Sequence, residues 1–109
     1  MRLVNLTPHL IRVQPVLDGE ILELPSEGVA RVTITDEIIG DVDGIPVVAG
    51  TPGEVTGIPD PIEGVIFIVS AIVLSALNGS RKDVMAPDTG PTAIRKDGQV
   101  WAVTRLRAR

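Results

Sequence analysis

Residues 64–80 read "GVIFIVSAIVLSALNGS", seventeen consecutive positions without a charge. The run has two halves with different periods. In Val65–Val69 every residue is apolar, so a strand built from them is apolar on both faces and belongs at the centre of a sheet covered from both sides. From Ser70 the period changes. Ile72 with Ala76, and Val73 with Leu77, recur at i,i+4 and share one helical face. Ser70 can cap such a helix by accepting a backbone N–H, and Asn78 or Gly79 can take the left-handed conformation that closes it. Two turns of helix do not stand alone in water, so packing must hold this one. The apolar part, Val65–Leu77, is shorter than the ~20 residues that span a bilayer. A buried strand followed by a buried helix is expected, with no membrane association.

Working outward, three Asp-Gly pairs punctuate the chain: Asp18-Gly19, Asp43-Gly44 and Asp97-Gly98. Asp-Gly suits the type I′ turn, which needs φ > 0 at both central residues. Three hairpins are therefore predicted: 11–17 with 20–24, 38–42 with 45–49, and 92–96 with 99–106. In "ARVTIT" (30–35), Ala30, Val32 and Ile34 alternate with Arg31, Thr33 and Thr35, the pattern of a half-buried strand. "QVWAVTRLR" (99–107) alternates in the same way. The segment "AGTPGEVTGIPDPIEG" (49–64) holds four Gly and three Pro and is expected to be a loop or an edge segment. The fold class expected is α+β: one β-rich domain over 1–109, mostly antiparallel, with several hairpins and one short helix at about 70–77.

Composition removes several chemistries. The chain has 109 residues, 44% of them apolar, enough for a core without staples. It has no cysteine, which excludes thiol catalysis, zinc–cysteine sites and a disulfide scaffold, and a reducing cytoplasmic location is expected. Phe67 and Trp101 are the only aromatic residues, too few for a base-stacking platform, so no nucleic-acid partner is expected. Charge is polarised. Residues 1–80 carry Arg2, Arg12 and Arg31 against eleven acids, whereas residues 81–109 carry seven basic residues against Asp83, Asp88 and Asp97. Such a bias marks either an anion-binding end or a basic strand lying beside acidic ones.

Motifs with catalytic or metal associations read better as turns. "APDTGP" (86–91) contains the Asp-Thr-Gly of aspartic proteases, but Pro87 and Pro91 flank it and "EIIG" (37–40) precedes rather than follows it. A Pro-Asp-Thr-Gly turn accounts for the composition directly. In "TDEIIGDVDG" (35–44), Asp36, Glu37, Asp41 and Asp43 suggest calcium, yet only "DVDG" fits the spacing of an EF-hand loop. A solvated acidic hairpin is expected there, with no metal. No phosphate-binding glycine loop, dinucleotide fingerprint or nucleophile elbow is present. His9 is the only imidazole, and Thr7, the nearest hydroxyl, shares its tight turn. No enzyme and no cofactor are expected, and a small hydrolase using His9 is a minor alternative.

Two stretches qualify as candidate sites. "SRKDVMAPDTGP" (80–91) offers Arg81 and Lys82 as cationic donors, Asp83 and Asp88 as acceptors, and Thr89 beside Gly90. Arginine suits a phosphate or carboxylate in a bidentate fork. The structural alternative is a helix C-terminus neutralised by cations, with Asp83 as their ion-pair partner. "NLTPH" (5–9) reads first as a corner between strands 2–6 and 10–14, in which Thr7 and His9 satisfy backbone groups.

Taken together, "NLTPH", "VARV" (29–32), "GIPVV" (44–48), "GEVTGIPDP" (53–61), "IVSAIV" (68–73) and "RKDVMAPDTGP" (81–91) resemble a set of small proteins encoded by tailed phages and by bacteria carrying prophages. The resemblance spans most of the chain and carries no settled activity with it. It implies a phage-type origin, with the bacterial host cytoplasm as the location, and a context of host takeover or counter-defence, where some proteins sequester nucleotide-derived immune signals. The leading expectation is a non-enzymatic homo-oligomer that binds an anionic, nucleotide-derived molecule. Asn5, Thr7 and His9 would supply hydrogen bonds, Arg81, Lys82 and Arg95 charge, and Asp83, Asp88 and Thr89 the rest of the loop. The main alternative is a structural or adaptor protein of a phage particle that assembles through exposed strand edges.

Overall fold

The computed structural model describes residues 1–109. Its elements, in chain order, are β1 (Arg2–Asn5), β2 (Ile11–Val13), β3 (Leu22–Leu24), β4 (Arg31–Val42), β5 (Ile45–Thr56), β6 (Val65–Ile68), α1 (Ala71–Leu77), β7 (Val84–Pro87), β8 (Ile94–Lys96), β9 (Gln99–Ala102) and β10 (Leu106–Arg107). A four-stranded sheet in the order β1-β6-β7-β10 forms the frame, and β2–β3, β4–β5 and β8–β9 are separate antiparallel hairpins.

Strand β6 sits inside that sheet, as its all-apolar sequence requires. Phe67 and Val69 enter one core with Val4, Leu6, Ala30, Val73, Leu74, Val84 and Ala86. Ile68 enters a second core with Val13, Leu24 and Val103, and Ile66 packs against it. Adjacent strand residues point to opposite faces, so β6 feeds both cores in alternation. Strand β7 repeats the pattern, with Val84 and Ala86 on the first face and Met85 on the second. Helix α1 and the base of β4–β5 cover the first face; β2–β3 and the Val103 segment cover the second.

The expectation of a mostly antiparallel fold holds for the hairpins and is corrected for the frame. The frame is mixed: β1 and β7 both run parallel to β6, and only β10 runs antiparallel to β7. A parallel return needs a crossover of a dozen or more residues, and residues 69–83 supply it through α1. Ser70 caps this helix from extended backbone (φ −67°, ψ 158°), its side chain accepting from the Val73 N–H, and Asn78 closes it in the left-handed region (φ 51°).

Two of the three hairpins turn on their Asp-Gly pairs. Asp43 and Gly44 (φ 50° and 84°) join Val42 to Ile45, and Asp97 and Gly98 (φ 53° and 78°) join Lys96 to Gln99. The third does not: β2 stops at Val13 and β3 starts at Leu22, leaving a wide loop around Asp18-Gly19. Pro15 cannot donate to a ladder, and the Gln14 N–H turns instead to the Val103 carbonyl at 2.8 Å. The middle hairpin is longer than predicted, because "ARVTIT" and the proline-containing segment through Thr56 join it as β4 and β5. Pro52 lies opposite Ile34 within this two-stranded ribbon. At its base Gly57 (φ 88°) passes so close to Val29 that a Cβ would lie 2.6 Å from the Val29 carbonyl oxygen. The predicted 99–106 strand ends at Ala102, and the chain returns to the frame as β10. The ribbon projects from the body. The radius of gyration is 16.4 Å, against about 13 Å for a compact chain of this length. No helix is long and apolar enough to cross a membrane.

Candidate functional site

The nine sequence-derived site residues fall into three groups rather than one. The first is the "NLTPH" corner, which follows β1. Asn5 is fully buried. Its amide nitrogen donates to the carbonyls of His9 (2.7 Å) and Leu24 (2.8 Å), and its Oδ1 accepts from the Thr7 N–H (2.9 Å) and the Thr7 hydroxyl (2.7 Å). Two donors and two acceptor positions are thus all used. The corner is held by Asn5 and Thr7, not by Thr7 and His9. The His9 ring is exposed and makes no hydrogen bond; only its backbone takes part.

The second group lies at the start of β7. Arg81 grips Asp83 with a two-pronged fork, Nε to Oδ1 and Nη2 to Oδ2, both 2.8 Å, and Nη2 also donates to the Pro59 carbonyl at 2.9 Å. Hydrogen bonding from Arg81 holds the Asp83 carboxyl below its ordinary pKa, and the same bond raises that of Arg81. Arg81 is therefore largely committed to the protein. Lys82 beside it is exposed and unpaired.

The third group lies past the end of β7, five residues on, about 17 Å away at ~3.3 Å of rise per residue. Asp88 has a side chain only 4% exposed. Its Oδ2 accepts from Arg105 Nε at 2.6 Å, its Oδ1 accepts from the Gly90 N–H at 3.0 Å, and Arg107 Nε lies 3.6 Å from Oδ1. The Arg105 hydrogen bond first, and the Gly90 N–H second, hold Asp88 below its ordinary pKa. Nearby, Arg95 Nη2 donates to the Thr89 carbonyl at 3.1 Å.

Sequence reading missed Arg105, Arg107 and Arg109 as site residues. They alternate with Leu106 and Ala108, and Leu106 packs toward the second core, so strand alternation turns the three arginines to the α1 side of the sheet. Arg105 and Arg107 approach Asp88 through Nε, and none of their terminal nitrogens has a protein partner. With Asp88 and Arg109 they line an open cleft of about 320 Å³. Two other cations are occupied by an aromatic ring. Arg12 and Lys96 stand over the Trp101 ring, 5.0 and 3.7 Å from its centroid. No buried side-chain polar atom lacks a partner, so the groups free to meet a ligand are at the surface. No group of three or more His, Cys, Asp or Glu side chains is placed to hold a metal ion. In the acidic hairpin, Asp41 Oδ1 instead accepts from the Gly44 N–H at 2.9 Å.

Chemically, a buried carboxylate that holds Arg105 by a hydrogen bond to its Nε and draws Arg107 to 3.6 Å by charge leaves two adjacent guanidinium groups with terminal nitrogens free at the surface. Paired forks of this kind suit phosphate or carboxylate oxygens. Comparison with protein-family models, with curated proteins and with solved structures returns no match. The class that fold and site define is a mixed β-sheet protein with a cationic edge, organised by one buried aspartate.

Two predictions follow from these contacts. Asn5→Ala strips partners from buried groups and is expected to cost about 1–3 kcal/mol in urea unfolding, whereas His9→Ala stays within about 0.5 kcal/mol; equal effects would contradict the corner described here. Asp83 and Asp88 both have folded pKa values lowered from 3.8. The stability they add is therefore complete above the unfolded value and is lost as pH falls through the lowered folded values. The urea midpoint is expected to fall on acidification below about pH 5, and the fall should be shallower in Asp83→Asn and Asp88→Asn. A parallel fall in both variants would show that these pairs do not contribute.

Proposed function

We propose that the protein binds a small polyanion, with Arg105 and Arg107 as the gripping residues, Asp88 as their positioning residue, and Arg109 adding charge. The observation that carries this reading is that Asp88 holds Arg105 by a hydrogen bond to Nε and keeps Arg107 beside it as an ion pair at 3.6 Å, without consuming the terminal nitrogens of either. The resemblance to phage-type proteins supports a narrower version. In it the ligand is nucleotide-derived, and the protein removes an immune signal from the host cytoplasm without converting it. Binding without turnover asks only for complementary charge and geometry, and the exposed position of the forks suits a ligand that enters from solvent.

The arrangement shifts weight among the residues first considered. Arg81 is committed to Asp83 and Pro59, so its truncation should affect stability more than affinity. Asn5 and Thr7 have spent their hydrogen bonds inside the corner. The second reading, an assembly or adaptor role in a phage particle, is favoured by the projecting ribbon, whose two 12-residue strands contain no buried residue.

Isothermal titration with pyrophosphate and with ADP tests the binding reading. Wild-type protein is expected to bind, and Arg107→Ala to bind at least tenfold more weakly while unfolding at the same urea concentration. Affinity should fall with added salt, because the forks are exposed. Absence of binding by wild type, or equal affinity in the variant, would overturn the assignment.

A further inference from the structure

The β4–β5 ribbon poses a physical problem that the body of the chain does not solve. Twelve residues of strand extend about 40 Å at ~3.3 Å per residue, and two strands alone are at best marginally stable in water. The cross-strand register sorts the side chains. Val32, Ile34, Ile38, Val48 and Val55 share one face with Pro46 and Pro52; Val42, Ile45 and Val47 share the other. Only Val32 and Val55, at the base, pack against the body. Farther out Ile38 is 71% exposed, Ile39 63%, Val42 58%, Ile45 65% and Val48 52%. Both faces are aliphatic, and both outer edges carry unpaired backbone groups.

Charge indicates what covers them. From residue 32 to residue 80 the chain has seven acids and no Lys, Arg or His, and five of those acids, Asp36, Glu37, Asp41, Asp43 and Glu54, are on the ribbon. Ribbon-to-ribbon pairing would set these carboxylates against their own copies. The complementary charge lies on the body of the same molecule. There β10 forms the open edge of the frame, and Arg81, Lys82 and Arg109 line a cleft of about 210 Å³ with Gly79, Val84 and Ala108. Lys82 and Arg109 have no side-chain partner there. A two-stranded ribbon about 40 Å long and ~10 Å wide offers about 400 Å² on each face. Both faces together reach the ~800 Å² per partner of a stable interface.

We infer that the β4–β5 ribbon is a self-association arm that docks on the basic β10 edge of a second copy, around Lys82 and Arg109. The contact joins two different surfaces, so each copy presents one arm and one dock. Arg109 borders both this surface and the Arg105–Arg107 cleft; self-association is read in phosphate-free buffer, so the inference stands whether or not the forks bind a polyanion.

Charge reversal with mixing tests it. Asp36→Lys with Glu37→Lys makes the arm basic; Lys82→Glu with Arg109→Glu makes the dock acidic. Masses are measured by light scattering after size exclusion, in low-salt, phosphate-free buffer. Wild type is expected at twice the 11.5 kDa chain mass or more, and each double variant alone at the monomer mass. An equimolar mixture should recover association, because each variant then meets the charge it lacks. Ile38→Lys, at an exposed position, gives an independent monomer without altering the dock. Monomeric wild type, associated double variants, or a mixture of folded variants that stays monomeric would each overturn the inference.

Discussion

Strand β6 contributes to two cores at once, and the rest of the frame follows from that demand. Phe67 and Val69 need cover on one face and Ile68 on the other. The first cover comes from the chain immediately after the strand: α1 folds back over Phe67 and leads into β7, which can then only run parallel. The second comes from the hairpins at the two ends of the sequence, joined by the Val13–Val103 bridge. Burying one aromatic and several β-branched residues in this way, at about 1.5–3 kcal/mol for each fully buried large side chain, offsets the ordering of many short strands that have little stability alone.

The same frame determines where charge can go. Strand β10 pairs with β7 through Leu106 and Arg107, and Leu106 packs toward the second core. Its arginine neighbours are thereby turned to the other side of the sheet, where Asp88 waits at the end of β7. An unpaired buried carboxylate is costly, and two guanidinium groups are more than it needs. The surplus charge has no internal partner and faces solvent. A cationic surface of this kind arises as the outer half of a structural ion pair, not as an isolated pocket.

Much of the frame was legible because its signals are local. The all-apolar run identified β6, the i,i+4 pairs and Ser70 identified α1, and Asp-Gly marked two tight turns. Parallel pairing was not legible from any one strand, since it depends on where β1 and β7 lie relative to β6. The clue was a both-faces-apolar strand followed by a helical crossover, not an Asp-Gly turn. At Asp18-Gly19 the turn signal was real and Pro15 overrode it. The site was less legible than the fold. Asp88 was visible as an acceptor, but its cationic partners are Arg105 and Arg107, seventeen and nineteen residues later. Only the antiparallel return of β10 brings them together. Asn5 drew attention through its motif; its work is internal, because burial commits every hydrogen bond it can make.

Arginine side-chain NMR addresses the central claim most directly, that Asp88 fixes Arg105 by Nε, holds Arg107 beside it by charge, and leaves their terminal nitrogens for an anion. The account predicts that the Arg105 Nε–H is protected from solvent exchange at neutral pH. That protection should disappear in Asp88→Asn, and adding pyrophosphate should perturb the Nη signals of Arg105 and Arg107. An Arg105 Nε–H that exchanges as fast as that of exposed Arg31, in wild type and variant alike, would contradict it.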